Sequence, residues 1–143
     1  AALILSGGMV WLLCHLGFGG NFGQTYVPVE ISFEGKTVKV LALRDTGNTL
    51  RDPVTGERVL VIGADAAERL TGLRPDQLAH PVETAAMHVG YRLIPYHAVG
   101  QSGGMLLAKR FENVSIGEQS GPALVAFAPE IIGRGAVYQA LAY

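Results

Sequence analysis

Val38-Lys39-Val40-Leu41-Ala42-Leu43-Arg44 runs directly into Asp45-Thr46-Gly47, and the reading of this stretch decides the fold. Upstream, Tyr26 to Phe33 alternates apolar and polar residues, and Glu34-Gly35-Lys36 reads as a tight turn. Together these predict a β-hairpin whose second strand, Thr37 to Leu43, delivers the chain to Asp45. The residue types that follow suit one kind of chemistry. Two neighbouring carboxylates can share a proton and activate a water between them. A small β-branched hydroxyl can lock the loop by bonding to backbone, and a glycine lets another chain approach without a Cβ in the way. Asp-Thr-Gly is also an ordinary turn sequence, so its context has to decide between the two readings.

The chain has 143 residues and a formal net charge of -1. That length suits one domain with a sizeable core. It holds a single Asp-Thr-Gly loop, so paired aspartates would need two chains. Near-neutral charge and the lack of a basic run argue against general nucleic-acid binding. Cys14 is the lone cysteine, which excludes an internal disulfide and a Cys-x-x-Cys metal site and fits a reducing compartment or no redox role. No cofactor is expected. Nineteen glycines favour turns and β structure over long helices.

No Asp, Glu, Lys or Arg occurs from Ala1 to Val29, and Ala1 to Phe18 is almost wholly apolar. A helix of that length spans roughly 27 Å, close to a bilayer core. The expectation is the end of a transmembrane helix at 1–18 in a chain that starts as a fragment, a linker at 19–25 and a folded domain at 26–143. A signal-peptide core or a buried strand-turn-strand is the plainer alternative, although no basic segment precedes it.

Beyond Asp45, Leu50 to Val59 reads as a strand end, a turn at Thr55-Gly56 and a return strand to Ile62. Asp65 to Leu70 predicts a short helix with Asp65 as N-cap and Gly72 as its stop. Pro75 to Ala79 suggests another helical turn. Tyr91 to Val99 and Met105 to Ala108 predict strands around the glycine-rich tip Gly100-Gln101-Ser102-Gly103-Gly104, followed by strands at Phe111 to Ile116 and Pro122 to Ala128. Ile131-Ile132-Gly133-Arg134 then leads into an expected terminal helix at Ala136 to Leu141. The fold class is therefore mostly β, a single-lobe closed barrel with a short C-terminal helix.

His15, His80, His88 and His97 lack ligand spacing, so no metal site is expected. No Gly-x-Ser-x-Gly is present, and Cys14 has no histidine in motif relation, so Ser or Cys nucleophilic catalysis is unsupported.

The order Asp-Thr-Gly, glycine-rich hairpin, Ile-Ile-Gly-Arg and helix resembles that of retroviral-type aspartic proteases. The stretch Asp45-Thr46-Gly47-Asn48-Thr49-Leu50-Arg51-Asp52-Pro53, with Thr55-Gly56 and Val59, is similar to the extended motif of the sporulation sigma-E factor-processing peptidase family. So are Tyr91-Arg92-Leu93-Ile94-Pro95-Tyr96-His97-Ala98-Val99-Gly100, Ala126-Phe127-Ala128-Pro129-Glu130 and Tyr138-Gln139-Ala140-Leu141. The resemblance covers residues 25 to 143. It implies a retropepsin-like domain behind a membrane-spanning part, facing the cytoplasm on the mother-cell side of the sporulation septum. It also implies a homodimer, a sigma-factor precursor as protein substrate and a signalling protein acting through the membrane part.

By that resemblance Asp45 is the catalytic residue. From the residues themselves, Thr46, Gly47 and Asn48 are expected to form the active-site loop, and Leu43 with Gly100, Gln101, Ser102, Gly103 and Gly104 to bind an extended peptide. Arg44 departs from the pattern, standing where an apolar residue is expected. A cation there would lower the pKa of a carboxylate pair, or point away and pair with Asp52 or Glu57. It favours the competing reading, a non-catalytic membrane-tethered interaction domain that kept the fold.

Overall fold

The computed structural model describes residues 25–44, 50–96, 103–133 and 137–143. The chain opens with β1 (Thr25–Phe33) and β2 (Lys36–Arg44), paired antiparallel in a register that sets Thr25 opposite Arg44 and Phe33 opposite Lys36. Glu34 and Gly35 turn the hairpin with positive φ, 50° and 79°, the geometry that makes the Gly35 position a glycine. Then follow β3 (Val59–Ile62), α1 (Ala64–Thr71), α2 (Pro75–Leu78), α3 (Pro81–Met87), β4 (Tyr91–Tyr96), β5 (Gly104–Ile116), β6 (Gln119–Phe127) and β7 (Ala140–Ala142).

The sheet order is β1-β2-β7-β3-β6-β5-β4, and β1 also pairs with β5. That extra pairing closes six strands into a barrel, leaving β4 attached outside the ring through β5. Closure pairs the β1 edge that an unrolled sheet of this length would leave open, and β4 stays an edge strand. The mostly β, closed-barrel expectation is met.

Strand alternation sorts the apolar residues into two clusters. The first takes Val27, Val29, Ile31, Val38, Val40 and Ala42 from the hairpin, alternate residues of the other four barrel strands, and the buried face of α1. The second takes the intervening residues, among them Val59, Val61, Leu106, Leu124, Ala126 and Leu141, with Leu43, Leu50, Ile94 and Ile132. All four residues of β3 are therefore buried, and the strand reads as an unbroken apolar run because both its faces are covered.

Three local expectations need correction. The terminal helix over Ala136 to Leu141 is replaced, in its described part, by β7, which pairs parallel with β2 and antiparallel with β3. Gln139 fixes its entry, with its backbone N–H donating to the Leu41 carbonyl (2.8 Å) and its side-chain oxygen accepting from the Leu41 N–H (3.1 Å). Burial of Ala140, Leu141 and Ala142 between two strands outweighs the helix preference of alanine and leucine. Asp65 is not the N-cap of α1. Gly63 holds that position, and Asp65 lies inside the first turn, where its charge still faces the positive end of the helix. Finally, α3 was not foreseen. Pro81 starts it, and Thr84 anchors it by donating to the Gln77 carbonyl at 2.6 Å.

Gly72 ends α1 as expected, in the left-handed conformation with its N–H on the Glu68 carbonyl. Among the described residues no helix is long and apolar enough to cross a membrane, and the expected membrane segment at 1–18 lies outside them.

Candidate functional site

Asp45, Thr46, Gly47 and Asn48, with Gly100, Gln101 and Ser102, lie outside the described residues. Their flanks are described, and the flanks converge. Arg44 ends β2 and Leu50 resumes the chain; Tyr96 ends β4 and Gly104 begins β5; Gly133 and Val137 border the third segment. Leu43, Leu50 and Ile132 are all buried in the second cluster, and Tyr96 and Tyr138 pack against it. One apolar platform thus carries both ends of the Asp45 segment, the base of the glycine-rich hairpin and the Ile-Ile-Gly stretch. Leu43 is 1% exposed and turns into that platform.

The hairpin base is tightly specified. Tyr96 and Gly104 are cross-strand partners, and the Tyr96 ring lies over Gly104 so closely that a Cβ there would come within 2.7 Å of the phenol oxygen. Burial, and then the negative charge of Glu130, push the Tyr96 phenol upward in pKa, so it stays a neutral donor. Gly103 is exposed at the start of the return strand. On the far side, Gly133 has φ 65°, and a Cβ there would overlap the Tyr138 carbonyl oxygen. The close approach and the left-handed backbone both require glycine. Tyr138 stacks on Tyr26, with ring centroids 6.2 Å apart, and ties this loop to the start of β1.

Behind the Asp45 segment the chain turns at Asp52-Pro53-Val54-Thr55-Gly56. The Asp52 carboxylate organises this turn from a buried position, 2% exposed. It accepts from the Val54 N–H and the Thr55 hydroxyl, both at 3.0 Å, and from the Arg92 guanidinium of β4. These contacts, led by the Val54 N–H, hold its pKa below the ordinary carboxylate value against the opposing effect of burial. The sequence offers Asp52 as a partner for Arg44 and assigns Arg92 no role; the structure pairs the two with each other. The signal available was their position, since each lies inside one of the two extended motifs, 40 residues apart, and the ion pair joins those motifs. Arg44 is exposed at the end of β2. The partners considered for it are taken: Asp52 pairs with Arg92, and Glu57 pairs with Arg110.

Among the described residues no group of three or more His, Cys, Asp or Glu could hold a metal ion. A groove of about 400 Å³ over the β1–β5 seam is lined by Glu30, Ser32, Glu112 and Ser115 among others. It sits level with the Lys36 end of β2, away from Arg44, and gathers no catalytic constellation.

Comparison with known proteins matches a family model described as sporulation factor SpoIIGA, peptidase family U4, over residues 3–142. A sporulation sigma-E factor-processing peptidase from Priestia megaterium is 29% identical over 102 residues, covering 66% of this chain and 33% of that protein. The protein of the same description from Bacillus subtilis is 31% identical over 100 residues, covering 63% of this chain and 32% of its own length. The chain thus spans about a third of the length of the curated relatives it matches. No solved structure matches.

Proposed function

This chain belongs to the SpoIIGA family of sporulation factors, and we propose that it is the protease domain of a membrane-associated aspartic endopeptidase of the retropepsin-like kind. Its substrate is a sporulation sigma-factor precursor, whose N-terminal pro-segment it removes. The observation that carries this reading is the convergence of three motif-bearing segments on one buried platform: the flanks of Asp45, the base of the glycine-rich hairpin and Ile132-Gly133.

In this reading two chains meet so that Asp45 and its symmetry mate share one proton, because two like charges at close range cannot both ionise cheaply. The ionised carboxylate takes a proton from a water, and the water attacks the scissile carbonyl. The protonated carboxylate donates to the developing oxyanion. Thr46 braces the paired loops. Backbone at Gly47 and Asn48, together with the Gly100–Gly104 tip, holds the peptide as an added strand. Residues 1–18 anchor the domain at the cell membrane, with the domain on the cytoplasmic, mother-cell side, and a signalling protein acts through the membrane part.

The test is co-expression of the membrane-complete protein with a sigma-factor precursor and the activating signal, read as a size shift on a gel. Wild type should give the shift, and Asp45→Ala should fold but lose cleavage by about 100-fold to 10,000-fold. Cleavage that survives Asp45→Ala would sink the aspartic mechanism. No shift in wild type would leave the interaction-domain reading that Arg44 favours.

A further inference from the structure

Among the described residues, five arginines border the turn that follows the Asp45 segment: Arg44, Arg51, Arg58, Arg92 and Arg110. All five are exposed, and strand register places them on neighbouring strands. Arg51 and Arg58 are bridge partners across the turn. Arg44 is level with Ala142 at the end of β7, next to Tyr143. Arg110 is opposite Leu124, which is opposite Val59, so alternation turns Arg58 to the other face of the sheet from Arg110. Arg92 is opposite Ala108 on the same strand as Arg110 and reaches the turn through Asp52.

Four of the five side chains are held by neighbours. Arg51 donates to the Gly56 carbonyl at 2.9 Å, and Arg58 lies over the Tyr143 ring, 5.8 Å from its centroid. Among the described residues, the carboxylates within the group are Asp52 and Glu57, each engaged by one arginine, and the ion pairs leave out Arg44, Arg51 and Arg58. In a chain of net charge -1 these three, set around Tyr143, make a concentrated positive surface. It starts at the residue before Asp45.

We propose that this arginine surface docks an acidic segment of the substrate polypeptide beside the cleavage site. The inference rests on the protease reading and adds a substrate class to it. Arginine suits the task, since its planar fork pairs two-fold with carboxylates, and forks already fixed by neighbours lose little freedom on binding. The fixed geometry and the position at the flank of the Asp45 segment favour a peptide over an anionic membrane surface, which needs only diffuse charge.

The probe is a fluorescein-labelled decapeptide carrying three glutamates, compared with its glutamine twin by fluorescence anisotropy. The protein is the full chain with Asp45→Asn, so that cleavage does not enter. The glutamate peptide should bind at least about tenfold more tightly in low salt, with the preference shrinking as ionic strength rises. Arg44→Gln combined with Arg58→Gln should abolish the preference, while Arg69→Gln combined with Arg74→Gln should leave it intact. Equal binding of the twin, or a preference that survives loss of Arg44 and Arg58, overturns the proposal. So does arginine-dependent binding to phosphatidylserine vesicles without binding of the glutamate peptide. Cleavage without a glutamate preference defeats the docking proposal alone. A preference in a chain that never cleaves defeats the protease reading and leaves the acidic-peptide surface standing.

Discussion

Asp52 shows how one buried charge organises a functional neighbourhood. Three donors converge on its carboxylate, so replacing it by asparagine sets an amide N–H₂ against the donors that faced an oxygen. We expect Asp52→Asn to cost about 1–3 kcal/mol of unfolding free energy at pH 7, measured by urea titration. Because the folded carboxyl titrates below the ordinary value of 3.8, its contribution is full above about pH 4. It fades as pH falls through the folded value, and the gap between wild type and variant should narrow there. A gap independent of pH would show that the charge is irrelevant. Two glycines make a second comparison at this scale. Gly35 has open space around it, so Gly35→Ala should cost about 1–2 kcal/mol, the usual penalty of a left-handed residue. Gly133→Ala adds a clash with backbone and should exceed that clearly, lowering the melting temperature by more than Gly35→Ala does.

Among the elements, β7 is short and buried along its whole length. Leu141 is 1% exposed, and its strand fills the gap between β2 and β3. Leu141→Ala should destabilise by about 2–5 kcal/mol by calorimetry or urea titration, and a cost below 1 kcal/mol would mean the strand is dispensable. This element was the least legible in the sequence. Ala140-Leu141-Ala142 has no period-two signal and favours helix locally, and its strand state is imposed by partners about a hundred residues away. The β1–β2 hairpin was legible because its alternation spans nine residues on each side of a Glu-Gly turn. In α3 the missed signal was Pro81 at the first helical position with Glu83 in the first turn. The second motif run was readable to Tyr96, and the base of the hairpin follows from the Tyr96–Gly104 pairing. For the ion pair between Asp52 and Arg92 the sequence offers only their places in the two extended motifs, since spacing does not relate residues 40 positions apart.

For the whole molecule, the proposed site is complete only when two domains meet. Cleavage by untethered chains should then rise more steeply than linearly with protein concentration below the dimer dissociation constant. Tethering on a surface should restore activity at dilutions where free chains are silent. A strictly linear rate across the dilution series would argue against a shared aspartate pair. The barrel's closing strand has a temporal consequence as well. Leu41 and Gln139, which lock β7 beside β2, are 98 residues apart in sequence. During synthesis the ring stays open until residue 142 has cleared the ribosomal exit tunnel, and pairings of such long range form slowly. A nascent chain carrying the Asp45 segment is therefore built well before it can fold around it, which separates the making of the polypeptide from the onset of any activity it carries.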